Sequence, residues 1–241
     1  MQLDFAAREL TIKLVYYGPA LSGKTTNLQA LHAVASTNSC GRLMTLDTRD
    51  DRTLFFDLLP MAYREPGGLS VRLKIFTVPG QVIHASTRRL VVQAADGIVF
   101  VADSRLNEEQ NNAESLVDLR QNLTNNGLSL GQLPLVIQFN KRDLPNVRSD
   151  QEIAELAANG QELVYLSVAT QGVGVVETFM GLLFVTWNAL DEKHGLVRKF
   201  GIEPQRLLDQ VARSLGACLG AGPLLEACVG GSLSYLKVAQ R

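Results

Sequence analysis

The chain has 241 residues, which is long for one compact domain and short for two, so we expect one domain with an appendage. Hydrophobic residues make up 46% of the chain and charged residues 20%, which is typical of a globular protein with a sizeable core. The net charge of −1 excludes a strong overall electrostatic attraction to nucleic acid or to anionic lipid.

Cysteine content and hydropathy favour a cytoplasmic protein. The three cysteines, Cys40, Cys218 and Cys228, are too few and too scattered for a disulfide framework or a zinc site. Residues 1–13 contain two acidic residues and no long apolar run, so they do not resemble a signal peptide. The most apolar stretch, residues 215–236, contains an acidic residue, a proline and five glycines, which disfavours a membrane span.

Apolar runs alternate with amphipathic segments along most of the chain, a pattern typical of strands and helices that alternate in a parallel sheet. The predicted strands are residues 12–17, 42–46, 69–76, 97–102, 135–139 and 163–166. The predicted helices are residues 24–35, 84–94, 108–125, 150–159 and 175–188. The predicted fold class is therefore α/β, with a mostly parallel sheet flanked by helices.

The alternation stops near residue 191, where a different pattern begins. One amphipathic helix is predicted after a proline, by apolar residues at helical spacing, namely Leu207, Leu208, Val211 and Leu215. A Gly-rich turn and a second apolar segment over residues 224–238 follow. We predict a main domain over residues 1–190 and a small C-terminal helical extension over residues 191–241.

The residues from Gly18 to Thr25 read GPALSGKT and fit the pattern G-x-x-x-x-G-K-[ST], between a predicted strand and a predicted helix. The glycines let the backbone curl so that its N–H groups converge on phosphate, and the helix adds the positive end of its dipole. Lys24 is predicted to reach the β- and γ-phosphates, and the Thr25 hydroxyl to ligate Mg²⁺. The alternative, a Gly-rich structural turn, is not favoured by this context.

Residues 50–57, DDRTLFFD, lie between the second and third predicted strands, where a first switch loop is expected. A threonine in this loop would close over Mg²⁺ and the γ-phosphate, and we choose Thr53 over Thr45 and Thr48. The neighbouring Arg52 could place its guanidinium on the γ-phosphate from within the chain. A surface arginine paired with an adjacent aspartate is the alternative interpretation.

Residues 77–81, TVPGQ, follow the third predicted strand. GTPases of the Ras and Arf kind carry D-x-x-G-Q at this place, where the Asp supports Mg²⁺, the Gly amide meets the γ-phosphate and the Gln orients the attacking water. Gly80 and Gln81 fit that pattern, whereas Thr77 occupies the position of the Asp. A purely structural turn is the alternative, but the order of the motifs favours a switch.

Residues 140–143, NKRD, follow a buried predicted strand, and N-K-x-D at the end of a strand is the motif with which GTPases recognise guanine. The Asp143 carboxylate can accept from both the N1–H and the exocyclic amino group of guanine, whereas adenine offers no such pair of donors. The stem of Lys141 can pack along the plane of the base. A solvated turn would also fit these four residues, but their place at the edge of an α/β sheet favours base recognition.

The segments YYGPALSGKTTNLQ, DRTLFFDLLP, TVPGQ, DGIVFVADS, VIQFNKRDLPN and TQGVGV together resemble the bacterial gliding-motility small GTPases of the MglA type, over about residues 8–190. The resemblance implies a Ras-like P-loop NTPase fold with an extra strand, and GTP or GDP with Mg²⁺ as ligands. It also implies that Arg52 is a built-in arginine finger that acts with Gln81, and that a Roadblock-domain partner stimulates hydrolysis. In the loop that supports guanine, Ser167-Val168-Ala169 stands where Ras-like proteins carry Ser-Ala-Lys.

The sequence thus predicts a small GTPase that binds GTP or GDP with Mg²⁺ and hydrolyses GTP, as a switch in cell polarity or motility. The predicted catalytic residues are Arg52 and Gln81, and the predicted Mg²⁺ ligands are Thr25 and Thr53. The predicted nucleotide-binding residues are Gly18, Pro19, Ala20, Leu21, Ser22, Gly23, Lys24, Thr25, Thr26, Thr53, Gly80, Asn140, Lys141, Asp143, Ser167 and Val168. The alternative function is a scaffold that binds GTP or GDP and turns over negligibly, for which Thr77 leaves room.

Overall fold

The structure is a computed structural model that describes residues 1–46, 56–64, 69–80 and 85–216. The described strands form one sheet: β1 (Gln2–Asp4), β2 (Glu9–Tyr17), β3 (Met44–Leu46), β4 (Phe56–Arg64), β5 (Ser70–Thr77), β6 (Gly97–Asp103), β7 (Leu135–Asn140) and β8 (Leu163–Leu166). Their order is β3-β4-β5-β2-β6-β7-β8, and β1 pairs with the start of β2. Neighbours among β5, β2, β6, β7 and β8 run parallel, so the mostly parallel sheet predicted from the sequence is confirmed.

Helices cover both faces of the sheet. Those in the described residues are α1 (Lys24–Val34), α2 (Ala85–Val92), α3 (Glu109–Asn125), α4 (Asp150–Asn159), α5 (Val175–His194), α6 (Leu196–Phe200) and α7 (Pro204–Ser214). One core lies between the sheet and α1, α5 and α7, and a second lies between the sheet and α2 and α3. Successive residues of the central strand β2 point into the two cores in turn. Leu14 and Tyr16 lie in the first core, and Val15 and Tyr17 lie in the second.

The strand β4 is the main element that the sequence pattern does not predict. Its inward residues alternate with period two, but the first of them is the charged Asp57, and Pro60 lies in the middle of the strand. A proline argues against a central strand because it cannot donate to the ladder. Here Pro60 contributes its carbonyl, which accepts from the Gly41 N–H at 2.9 Å. The strand β1 is also not predicted, and β3 begins at Met44 rather than at residue 42.

The chain after β8 folds back on the first core. The helix α5 runs to His194 rather than to residue 188, and it stops at Gly195, whose φ of 65° is left-handed. The predicted amphipathic helix is α7. The apolar residues of that prediction are buried as expected, namely Leu207, Leu208 and Val211 within α7 and Leu215 directly after it. The predicted helix is therefore confirmed, whereas its place in a separate C-terminal extension stays a prediction.

The division into two domains stays a prediction, and α5 crosses the boundary that was placed at residue 190. The predicted segment over residues 224–238 lies outside the described residues. Within the part of the chain that the structure covers, no helix combines the length and the apolar character needed to cross a bilayer.

Candidate functional site

The predicted phosphate loop joins the end of β2 to the start of α1, at the sheet edge where the parallel strands end. Gly18 and Gly23 have φ angles of 147° and 100°, a region that side chains rarely adopt. A Cβ at Gly18 would lie 2.2 Å from the carbonyl oxygen of Val101, and one at Gly23 would lie 2.2 Å from Asn140 Nδ2. Close packing therefore demands both glycines, and the positive dipole end of α1 points at the loop.

Lys24 is buried within this loop, with 6% of its surface exposed. Its Nζ donates to the backbone carbonyls of Gly18 at 2.9 Å and Pro19 at 2.6 Å. Burial, with smaller contributions from two neighbouring cations, lowers the pKa of Lys24 to about 7. Ser22 is also buried, and its hydroxyl has no hydrogen-bond partner among the described residues. A bound polyanion would stabilise the charged ammonium and accept from the hydroxyl, so both groups suit a phosphate ligand.

A carboxylate from β4 lies beside the phosphate loop. Asp57 is 5% exposed and accepts hydrogen bonds from three threonine hydroxyls, those of Thr25 at 2.6 Å, Thr45 at 2.8 Å and Thr77 at 3.0 Å. The Thr77 hydroxyl also accepts from the backbone N–H of Asp57 at 2.9 Å, which ties β4 to the end of β5. No local sequence motif connects Asp57 with Thr25, so the sequence predicts no role for Asp57. The tertiary packing of α1 beside β4 brings the two together.

The segment after β5 closes one side of the same cleft. A Cβ at Gly80 would lie 2.4 Å from Ala20 Cα, so this glycine lets the segment lie against the phosphate loop. The cleft has a volume of about 500 Å³. Its lining includes the predicted residues Leu21, Gly23, Lys24, Thr25, Thr26 and Gly80, together with Thr45, Asp57 and Thr77. The predicted residues Arg52, Thr53 and Gln81 lie outside the described residues.

Asn140 joins the predicted base-recognition loop to the phosphate loop. Its side chain is buried, and Nδ2 donates to the carbonyl of Ser22 at 2.8 Å. Its Oδ1 accepts from the Ser167 hydroxyl at 3.0 Å and from the Ala169 N–H at 2.9 Å. Asp143 is exposed at the same edge of the sheet. One amide side chain therefore holds three predicted segments together, although they are far apart in the sequence.

Lys141 forms an ion pair with Asp103, the last residue of β6. The Nζ–Oδ2 distance is 2.6 Å, and the guanidinium of Arg105 contacts the same oxygen at 2.8 Å. Burial raises the pKa of Asp103, but hydrogen bonds from Arg105 and Lys141 outweigh burial and leave the pKa below its usual value. No sequence motif identifies Asp103 as a site residue. The sequence does carry one signal for this residue. Asp103 is a single acid at the end of an otherwise apolar buried strand, at the edge where α/β sheets bind ligands.

The model of the ADP-ribosylation factor family matches residues 3–182. The Mutual gliding-motility protein MglA of Myxococcus xanthus is 44% identical over 176 residues, which are 73% of this chain and 90% of that relative. The match to the family model includes the phosphate loop, β4 and the base-recognition loop, and it ends before α6 and α7 begin.

Proposed function

This chain belongs to the ADP-ribosylation factor family of small GTPases, and from that premise we propose that it binds GTP and GDP with Mg²⁺ and hydrolyses GTP as a molecular switch. The observation that carries the proposal is the meeting of the phosphate loop and the base-recognition loop at Asn140. A nucleotide places its phosphates and its base at two such points on one sheet edge. The similarity to MglA supports a switch that acts in cell motility or polarity.

The phosphates are proposed to bind the backbone of residues 18–23, the N-terminal turn of α1 and the ammonium of Lys24. Burial of Lys24 among carbonyls supports this assignment, because the charged form of the side chain gains most from a nearby anion. Guanine is proposed to bind the carboxylate of Asp143, with the stem of Lys141 along the plane of the base. The ion pair with Asp103 restrains Lys141 for that contact.

The cleft also fits Mg²⁺, a cation that prefers oxygen ligands. The Thr25 hydroxyl donates a hydrogen bond to Asp57, so the oxygen lone pairs of Thr25 stay available to a cation. Asp57 thus supplies the buried negative charge that Thr77 lacks. We propose that Thr25 and Thr53 hold the metal and that Asp57 orients Thr25. When bound, the metal would neutralise phosphate charge and favour departure of the γ-phosphoryl group.

Hydrolysis is proposed to use Arg52 and Gln81. The guanidinium of Arg52 would stabilise charge that develops on the γ-phosphoryl oxygens, and Gln81 would orient the attacking water. Both assignments derive from the motifs and the resemblance. A Roadblock-domain protein is the proposed activating partner, because the resemblance to MglA-type proteins implies one.

A single-turnover assay tests hydrolysis against the rival function, a GTP-binding scaffold that Thr77 alone would favour. The protein is mixed in excess with labelled GTP in the presence of Mg²⁺. Phosphate release is then measured with and without the Roadblock partner. We expect slow phosphate release from the protein alone and much faster release with the Roadblock partner. Tight binding without release in either condition would identify the scaffold. Lys24→Ala is the control for the site itself, and we expect it to lose tight nucleotide binding because the phosphates lose their buried cation.

A further inference from the structure

Three fully buried polar side chains lie beneath the proposed nucleotide site, on the side of the sheet covered by α1 and α5. They are Asn27 on α1, Gln138 on β7 and Thr178 on α5. Gln138 lies two residues before Asn140, so both side chains point from β7 to the same face, with Gln138 about 7 Å further from the sheet edge. Asn140 and Gln138 therefore form two successive layers of polar contacts.

The deeper layer is a continuous chain of hydrogen bonds. The side-chain amides of Asn27 and Gln138 exchange two hydrogen bonds of 2.9 Å. The other N–H of Asn27 Nδ2 donates to the Gly23 carbonyl at 2.9 Å, and the other N–H of Gln138 Nε2 donates to Thr178 Oγ1 at 2.9 Å. The Thr178 hydroxyl donates in turn to the Gly174 carbonyl at 2.5 Å. All four N–H groups of the two amides are thus paired.

Both ends of this chain are backbone carbonyls of the proposed nucleotide site. Gly23 is the last residue of the phosphate loop before α1 begins. Gly174 ends the guanine-supporting loop, residues 167–174, which begins with the predicted residues Ser167 and Val168. A Cβ at Gly174 would lie 2.0 Å from the carbonyl oxygen of Leu166, so this loop packs tightly against the end of β8. The chain of hydrogen bonds therefore connects the phosphate loop to the guanine-supporting loop through the interior.

Stability alone does not favour amides at this place. Burial of an amide costs free energy that its hydrogen bonds offset, and an apolar pair of similar shape can be equally stable. Apolar contacts are non-directional, whereas hydrogen bonds require a narrow range of distances and angles. A fully paired polar contact in the interior therefore specifies one arrangement of the elements that it joins.

From these contacts we propose that Asn27, Gln138 and Thr178 are positioning residues, which hold the phosphate loop and the guanine-supporting loop at the spacing that one guanine nucleotide requires. Their effect on the ligand passes through the segments of Gly23 and Gly174. A ligand that spans two loops gains the full affinity of both only when their spacing matches its own length. The inference rests on the proposed function, because it requires both loops to bind the same nucleotide.

A double variant separates positioning from stability. Asn27→Leu combined with Gln138→Leu removes both partners of the amide pair, so we expect a folded protein of nearly wild-type stability. We expect its affinity for GDP with Mg²⁺ to fall about tenfold, through faster release, because the spacing of the loops is no longer specified. Guanosine and pyrophosphate each occupy one part of the site, so their affinities should stay within about twofold of wild type.

Two measurements follow these affinities. Association and release of a fluorescent GDP analogue give the affinity for the whole nucleotide. Ligand-detected NMR on nucleotide-free protein gives the affinities for guanosine and for pyrophosphate. Gln121→Leu on the exposed face of α3 is the control for the change of residue type. Leu207→Ala is the control for lost stability, because it truncates a buried side chain on α7, which packs on α5 and β4.

A single substitution tests the connection to the guanine-supporting loop. Thr178→Val keeps the shape of the side chain and removes the hydroxyl that joins Gln138 to Gly174. We expect GDP release to become about two- to tenfold faster, the equivalent of one hydrogen bond. Thr178→Ser keeps the hydroxyl and should restore the wild-type rate.

The outcomes separate this inference from the proposed function. Weaker GDP binding with unchanged affinities for guanosine and pyrophosphate supports the inference. Unchanged GDP affinity, an equal loss for either small probe, or the same loss in Leu207→Ala would make the three residues ordinary core residues and leave the proposed function standing. If the double variant does not fold, the same measurements on Thr178→Val and Thr178→Ser decide. A wild-type chain that binds no guanine nucleotide would overturn both.

Discussion

Asp57 gathers three threonine hydroxyls at the point where Mg²⁺ is proposed to bind. Asp57→Asn would place an amide donor or an uncharged oxygen opposite the Thr25 hydroxyl. Hydrogen bonds to charged groups are worth about 1.5–3 kcal/mol, so we expect the Mg²⁺ requirement for nucleotide retention to rise about 10- to 100-fold. The rate of GDP release, titrated with Mg²⁺, measures this requirement. Asp4→Asn, which changes an acceptor of one exposed hydrogen bond, is the control. A wild-type titration for Asp57→Asn would remove Asp57 from the proposed metal site.

Asp143 is the residue on which base selection is proposed to depend. Asp143→Asn replaces one carboxylate oxygen by an amide donor, which matches the carbonyl that xanthine carries in place of the amino group of guanine. We therefore expect the preference to change from GDP towards XDP, by the factor of about 10 or more that one mismatched donor pair costs. Competition of GDP and XDP for a fluorescent nucleotide measures the preference. If guanine preference persists, residues 140–143 are not the base-recognition loop.

Arg52 is expected to act on the transition state rather than on binding. An arginine finger is worth about 10³–10⁵ in rate, whereas it contributes little to ground-state affinity. Arg52→Ala should therefore bind GTP almost normally and hydrolyse it very slowly, even with a Roadblock partner present. Partner-stimulated turnover at saturating GTP is the measurement, and Arg72→Ala, which removes a half-exposed guanidinium paired with Glu9, is the control. Equal rates in wild type and Arg52→Ala would identify Arg52 as an ordinary surface residue.

Three secondary-structure elements meet in a buried polar contact at Gln138. This residue of β7 exchanges two hydrogen bonds of 2.9 Å with Asn27 of α1 and donates a third to Thr178 of α5. Gln138→Leu leaves the Asn27 amide unpaired on that side, and an unpaired buried polar group costs about 1–3 kcal/mol. We expect that decrease in the free energy of unfolding in urea. Adding Asn27→Leu should cost less than the sum of the single changes, because replacing both partners removes the unpaired group. Gln121→Leu on the exposed face of α3 is the control, and an additive double variant would contradict this role.

The sequence predicts those secondary-structure elements well in which the local pattern agrees with the place of the element in the fold. The apolar run of β6 and the strand–loop–helix around Lys24 are such cases, and the structure confirms both elements. The pattern does not predict β4, because Asp57 interrupts the apolar face and Pro60 argues against a strand. The contacts of Asp57 with Thr25 and of Asp103 with Lys141 join residues that are distant in sequence. Such pairs follow from strand order and register, which no single segment specifies.

For the whole molecule, the proposed ligand site lies at the sheet edge, and the first core connects the sheet to α7. The buried residues of α7 belong to the same core as the inward residues of β2, β4 and β5. The relative from Myxococcus xanthus aligns with 73% of this chain and 90% of its own length. The helix α7 lies beyond residues 3–182, which match the family model, and it packs on the face of the sheet shared with α1 and α5.

Removal of α7 from the whole chain should expose that face of the core. A chain that stops after Glu203 loses Leu207, Leu208, Val211 and Leu215, which are each no more than 4% exposed. We expect the free energy of unfolding to fall by at least the ~2–5 kcal/mol that truncation of one buried leucine costs. The uncovered apolar surface should also promote self-association, because apolar patches larger than a few hundred Å² are rare on monomers. Urea unfolding and sedimentation velocity measure the two effects. The comparison is with a chain that stops after Gly216 and keeps α7, so that only residues 204–216 differ between the two. Equal stability and equal sedimentation would mean that the core closes without α7, and that the boundary predicted at residue 190 marks an independent domain.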